Sequence, residues 1–270
     1  MILARREILI SSIDAYKPAE IAKQINEVGV KKAHLPALQT ITLGLLAGAF
    51  IAFGGMFFTV VISGSELGLG PTRLLGGLAF SLGLVLVVIA GAELFTGNNL
   101  IVIAWAEKKV STRALFRNWS LVYFSNFIGS LATAYMVYLA GNLMMGDGVV
   151  IKTVHAIAQS KVTLDWQQAF TRGLLCNVLV CLAVWLAFAA HTVAGKIWAI
   201  IFPISAFVAL GFEHSVANMY LIPISMLYGS EISFMQFLGN LLPVTLGNIV
   251  GGSVFVALVY WICYLKPETK

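Results

Sequence analysis

Six stretches of this chain, residues 33–65, 74–92, 118–146, 173–195, 197–212 and 232–265, contain no Asp, Glu, Lys or Arg. A lipid-spanning helix needs roughly 20 predominantly apolar residues. Only 11% of the residues are charged, against roughly 25% in soluble domains. The runs therefore predict an all-α integral membrane protein, with one membrane domain occupying nearly the whole chain.

Six spans are expected, at roughly 36–64, 72–108, 114–145, 165–190, 196–228 and 234–265. The second and fifth are too long for single unbroken helices at 1.5 Å rise per residue. Both carry the same irregularity. One reads Glu93-Leu-Phe-Thr96-Gly97-Asn98, the other Glu213-His214-Ser215-Val-Ala-Asn218. Each sets a carboxylate five residues before an asparagine. Charge at membrane depth is costly and marks a functional site by default, and a matched pair in two halves is the mark of a transporter with interrupted helices. Helices 2 and 5 are thus expected to be broken. Irregular backbone at that depth needs protein or a cavity around it.

Other segments also match between the halves. Gly44-Leu-Leu-Ala resembles Gly173-Leu-Leu-Cys, and Asn126-Phe-Ile-Gly129 resembles Asn248-Ile-Val-Gly251. Three spans per half, residues 36–145 and 165–265, put the second half upside down: an inverted 3+3 repeat. Arg5, Arg6, Lys17, Lys23, Lys31 and Lys32 precede the first span. Lys108, Lys109, Arg113, Arg117, Lys196, Lys266 and Lys270 fall on the same side, and only Arg73, Lys152, Lys161 and Arg172 oppose them. The positive-inside rule then puts both termini, 1–35 and 266–270, in the cytoplasm. This topology accounts for the net charge of +5 better than a nucleic-acid footprint does. The N-terminus lacks the apolar stretch of a cleavable signal. Asp14, Lys17 and Pro18 followed by Ile21, Ala22, Ile25 and Val28 suggest a short amphipathic helix on the membrane surface, with Gly29 near its end. Cys176, Cys181 and Cys263 lack metal-ligand spacing and read as apolar packing residues. No metal or cofactor is expected.

In the inverted geometry the breaks meet near the midplane. Thr96 or Asn98, and Ser215, are candidate caps for the helices that resume there. Two helix N-termini facing one cavity favour a small anion over a cation. His214 is the midplane group with an ordinary pKa near neutrality, and Thr96 is its candidate partner from the other half. Glu93 and Glu213 are expected to hold free backbone N–H groups and shape the breaks, with Asn98 and Asn218 beside them. Lys161 precedes span four near the outer mouth, as an anion attractor or a solvated loop lysine. Asn177 either lines a vestibule or bridges helices. Phe80 and Phe207 precede the two breaks at roughly matching positions, as apolar constrictions or as plain packing.

These residues resemble the formate/nitrite transporter family from about residue 30 to 265. The resemblance rests on Ala92-Glu93-Leu94-Phe95-Thr96; on Asn177 with Val180-Cys181-Leu182-Ala183 and Trp185; on Gly211-Phe212-Glu213-His214-Ser215 with Ala217-Asn218-Met219; and on Pro243-Val244-Thr245 with Gly247-Asn248. It implies an aquaporin-like protomer, a homopentamer and one pore per protomer. It also implies that His214 is the central pore histidine and Thr96 its partner. Phe80 and Phe207 match the aromatic constrictions, with Leu84, Leu94 and Val180 as apolar pore neighbours. Lys161 and Asn177 match residues that polarise the histidine and attract the anion, and Asn248 matches a polar pore-lining site. Gly97-Asn98-Asn99 departs from the Ser and Thr of typical formate channels.

The expectation is a multi-pass channel of the inner (cytoplasmic) membrane for small monovalent anions of weak acids, formate first, with nitrite or hydrosulfide as alternatives. A bare ion crossing two apolar constrictions is costly to desolvate. Protonating an acid of pKa ~4 at pH ~7 costs only about 4 kcal/mol, so a proton shared with His214 lowers the barrier. A neutral-solute pore is the other transport reading. An enzyme using His214 and Glu213 needs a nucleophile or metal ligands nearby, and the sequence offers none.

Overall fold

The computed structural model describes residues 15–266, and among them it contains helices and connecting turns but no strand. The expectations resting on residues 1–14 and 267–270, including Arg5, Arg6, Asp14 and Lys270, lie outside the described residues. In chain order the helices are α1 (Pro18–Ala33), α2 (Ala37–Ile62), α3 (Leu69–Val85), α4 (Val102–Ala106), α5 (Thr112–Ala140), α6 (Val149–Val162), α7 (Trp166–Ala189), α8 (Val193–Ala209), α9 (Ser215–Leu227), α10 (Phe234–Gly252) and α11 (Val259–Tyr264). A π-helical stretch, Leu86–Gly91, prolongs α3, and a 3-10 stretch, Gly97–Ile101, leads into α4. Another π stretch, Ser253–Leu258, joins α10 to α11.

Among the described residues five segments are long and apolar enough to cross a membrane: Ala37–Ile62, Leu69–Gly91, Thr112–Ala140, Trp166–Ala189 and Phe234–Tyr264. The segment expected at 196–228 is instead two shorter helices, α8 and α9, separated by Leu210–His214. Local sequence sets most of the starts. Ser111, Asp165, Thr192 and Ser233 each accept a backbone N–H from three residues ahead, which satisfies donors that a helix start leaves free.

Helix α1 differs from its expectation. Ile21, Ala22 and Ile25 are buried in the protein core, so its apolar face is covered by this chain rather than by lipid. Gly29 is not an end residue. It sits inside the helix, where an added Cβ would lie 3.2 Å from Ala104 Cβ. The close approach carries Lys32 to the break between α3 and α4.

Glycine also sets the helix crossings, since lipid tails supply no hydrophobic drive between helices and small residues let backbones meet. A Cβ at Gly129 of α5 would overlap the Leu45 carbonyl of α2, and one at Gly251 of α10 would overlap the Leu174 carbonyl of α7. Gly251→Leu is therefore expected to abolish monodisperse detergent-solubilised protein. Overpacking usually costs about 1–3 kcal/mol, and here the obstacle is backbone, which cannot turn aside. Gly239→Leu on the same helix, with nothing near its Cβ, is expected to elute as wild type in size-exclusion chromatography.

Candidate functional site

The site is built where the two interrupted segments stop. After the π stretch the chain runs extended from Ala92 and resumes at Gly97; after α8 it turns at Gly211 and resumes at Ser215. Such gaps expose amides and carbonyls, and every buried one needs a partner. Two asparagines supply them. Asn126 of α5 accepts from Phe95 N–H at 2.9 Å and donates to the Gly44 and Glu93 carbonyls. Asn248 of α10 accepts from Ser215 N–H at 2.9 Å and donates to the Gly173 and Glu213 carbonyls.

The carboxylates have a different task from the one expected. Neither Glu93 nor Glu213 holds backbone N–H groups; each closes an ion pair. Lys32 Nζ lies 2.6 Å from Glu93 Oε1, and Lys161 Nζ lies 2.9 Å from Glu213 Oε1. The second carboxylate oxygen accepts from Asn98 or Asn218 in turn, each at 2.6 Å. Those asparagines also donate to Asn118 and Asn240, which donate to the Lys32 and Lys161 carbonyls. The two clusters agree bond for bond, except that Lys32 also reaches Asn98 Oδ1 at 3.2 Å while Asn218 Oδ1 has no partner. Lys32, Asn118, Asn126 and Asn240 were not singled out as site residues. The available signal was the spacing between the halves: 118 and 126 match 240 and 248, just as 93 matches 213.

The expected caps also change. Asn98 is taken up by Glu93 and Asn118. Ser215 lies inside α9 with its Oγ unpartnered, and Thr96 makes no side-chain cap. His214 caps α9 instead, its Nδ1 accepting from Ala217 N–H at 3.1 Å. The Phe95, Ser215 and Ala217 amides are thus taken up by Asn126, Asn248 and His214.

The structure brings His214 and Thr96 together, with Nε2 2.9 Å from Thr96 Oγ1. Because Nδ1 is an acceptor, the neutral ring carries its proton on Nε2 and donates to Thr96. The Thr96 hydroxyl then keeps its own proton for another acceptor. Asn177 and Cys181 hold the loop from behind, donating to the Thr96 carbonyl at 3.3 and 3.4 Å. Asn177 also donates to the Asn248 carbonyl, so both asparagines serve backbone groups. Cys181 is thus more than packing, and Cys263 is exposed rather than packed inside.

Two cavities approach this pair. One, of about 270 Å³, is lined by Phe80, Phe207, Lys161, Arg172, Glu213 and His214 among others. The second, of about 370 Å³, is lined by Lys32, Leu84, Val87, Glu93, Leu94 and Gly97 among others. His214, only 3% exposed, lines the first of these two cavities and not the second. Phe80 and Phe207 do not form two matching constrictions. They touch edge to face at 5.6 Å between ring centroids, and Phe207 stacks on the His214 ring at 6.0 Å. The spacing that relates Glu93 to Glu213 relates Phe207 to Val87, and the second cavity is lined by aliphatic Leu84, Val87 and Leu94 where the first has the two phenylalanines. Val180 is buried outside both linings.

Interrupted apolar helices, a buried polar pair and two largely apolar cavities on either side of it point to a membrane channel or transporter. The sequence profile described as Formate/nitrite transporter matches residues 19–262. A probable formate transporter of Methanothermobacter thermautotrophicus is 46% identical, covering 92% of this chain and 97% of its own length. The formate channel FocA of Escherichia coli K12 is 37% identical over 94% of this chain and 96% of its own. A solved pentameric formate channel with formate bound is 42% identical, with a TM-score of 0.79 over 85% of this chain and 98% of that one. This chain belongs to the formate/nitrite transporter family, whose members are channels and transporters rather than enzymes.

Proposed function

We propose that this chain conducts small monovalent anions of weak acids, formate first, through a pore that runs between the two cavities past His214 and Thr96. The observation that carries the reading is the 2.9 Å contact joining a protonatable ring from one break to a hydroxyl from the other. The bond-for-bond agreement of the two ion-pair clusters supports a six-span, inverted 3+3, aquaporin-like protomer. The bound formate and five-fold assembly of the similar channel support formate as substrate and a homopentamer in the bilayer. The distribution of basic residues supports cytoplasmic termini in an inner membrane. On that topology the Lys161 cavity opens outward and the Lys32 cavity inward.

The anion enters the outer cavity hydrated and meets the Phe80–Phe207 narrowing, where shedding water is expensive. Behind it, Thr96 offers a hydroxyl donor polarised by His214. Proton transfer goes further: an imidazolium gives its Nε2 proton to the carboxylate, yielding neutral ring and neutral acid. The charged ring has no Nδ1 lone pair for Ala217 N–H, so charging His214 breaks the α9 cap; giving up the Nε2 proton leaves the other on Nδ1, and the cap returns only when the ring loses that proton and regains one at Nε2. The imidazolium is therefore a transient donor rather than a resting charge, and Leu84 and Leu94 let the neutral acid through.

Uptake into proteoliposomes of formate, nitrite, hydrosulfide and chloride, each at acidic and at neutral pH, tests this reading. Formate flux above protein-free liposomes, rising as pH falls, is the expected result; flux of chloride alone overturns it. Phe207→Ala removes one aromatic wall beside His214 and is expected to admit larger monocarboxylates, read as a higher ratio of lactate to formate uptake than the parent's.

A further inference from the structure

The two mouths of the pore carry matching ion pairs but unequal charge. Lys32 and Glu93 are the charged groups lining the second cavity, and they neutralise each other. The first cavity holds Lys161 and Glu213, equally matched, and in addition Arg73 and Arg172. Arg73 donates one N–H to the Ala209 carbonyl at 2.9 Å. That contact fixes its guanidinium over the end of α8 with its remaining donors unused. The Arg172 carbonyl accepts Glu213 N–H, but its side chain has no hydrogen-bond or ion-pair partner among the described residues. At the other break the carbonyl in that role belongs to Leu43, which accepts Glu93 N–H. The Lys32–Glu93 cluster thus has a leucine where the Lys161–Glu213 cluster has an arginine.

We infer that Arg73 and Arg172 form a capture site for small monovalent oxyanions at the Lys161 mouth alone, so that the channel loads asymmetrically. Lys161, closed on Glu213, adds little net field. The two guanidiniums close no ion pair among the described residues, although Asp165 lines a neighbouring pocket with Arg172, and they present planar donor forks that match a carboxylate or nitrite. A cleft lined by one sign of charge concentrates the opposite ion. The inference rests on the proposed function for the anion's identity and for which mouth faces out.

Sided transport tests it, with uptake by spheroplasts sampling the Lys161 mouth and uptake by inverted vesicles the Lys32 mouth. One unit charge at several ångströms in water shifts occupancy by about threefold. Arg73→Gln and Arg172→Gln are each expected to raise the half-saturating formate concentration in spheroplasts by that factor at low salt. The difference disappears near ~1 M salt, where screening acts within about 3 Å. Arg172→Lys is expected to restore most of the loss. No shift in spheroplasts, or an equal shift in inverted vesicles, overturns the site.

A second measurement needs no transport. Ser160 lines the same cavity. In a Ser160→Cys, Cys263→Ser background, the rate ratio of anionic to cationic methanethiosulfonate reagents reports the local potential. The ratio is expected to fall when both arginines become glutamine, and an unchanged ratio overturns the capture site. A wild-type channel that carries no formate but shows the expected ratio removes formate as substrate and leaves the capture site standing.

Discussion

His214→Asn is expected to cut formate uptake by about a hundredfold and to flatten what remains between about pH 5 and pH 8, while the protein assembles as wild type. The substitution separates the two tasks of the ring. Nδ1 caps α9 through Ala217 N–H, and asparagine is among the best residues for that position, so the helix start survives. Nε2, 2.9 Å from Thr96 Oγ1, is the nitrogen that meets the substrate side, and asparagine offers no titratable group there. Positioned acid–base groups contribute about 10²–10⁴ in rate. The sign follows from the step: the donor is the imidazolium, so coupled flux through the parent rises as pH falls. Protein-free liposomes correct for formic acid that crosses lipid unaided. An asparagine variant that keeps the parent's pH dependence shows that the ring does not handle the proton.

The residues that sequence made legible share one property: each is a polar group where lipid forbids it. Glu93, Thr96, Glu213 and His214 stand out because charge-free runs surround them, and their placement follows from the cost of burial. Partnerships were harder to see. Lys32 lies among other bases at the edge of the apolar runs, where a lysine needs no explanation, and only the docking of α1 brings it to Glu93. Asn118 and Asn126 read as ordinary helix polar residues until the gaps they fill are known. Phe80 and Phe207 misled for a geometric reason. Each precedes a break, but Phe80 lies about two turns further from Glu93 than Phe207 lies from Glu213, so the two positions do not correspond. The amphipathic pattern of α1 was legible; its covering was not, because periodicity tells that a face is buried and not what buries it.

The second large effect concerns the paired lysines. Lys161→Met is expected to lower the thermal midpoint of detergent-solubilised protein by about 10 °C, and Lys32→Met by clearly less. Removing one partner of a buried ion pair costs about 3–5 kcal/mol because it strands the other charge, and for a chain of this size each kcal/mol moves the midpoint by roughly 2–4 °C. Lys161 and Glu213 side chains are 12% and 5% exposed, against 28% and 6% for Lys32 and Glu93. Water therefore screens the second pair more, and its loss counts for less. Glu213 without Lys161 keeps one bond, from Asn218, too little to hold a bare carboxylate at that depth. The double variant Lys161→Met, Glu213→Gln removes the stranded charge and is expected to recover most of the midpoint, because Asn218 still has an acceptor and Asn240 still donates to the backbone of residue 161. Its recovery, set beside the loss in the single variant, measures the stranded charge itself. A double variant no more stable than Lys161→Met shows that the lysine acts through packing, and the ion pair then has no part in shaping the break.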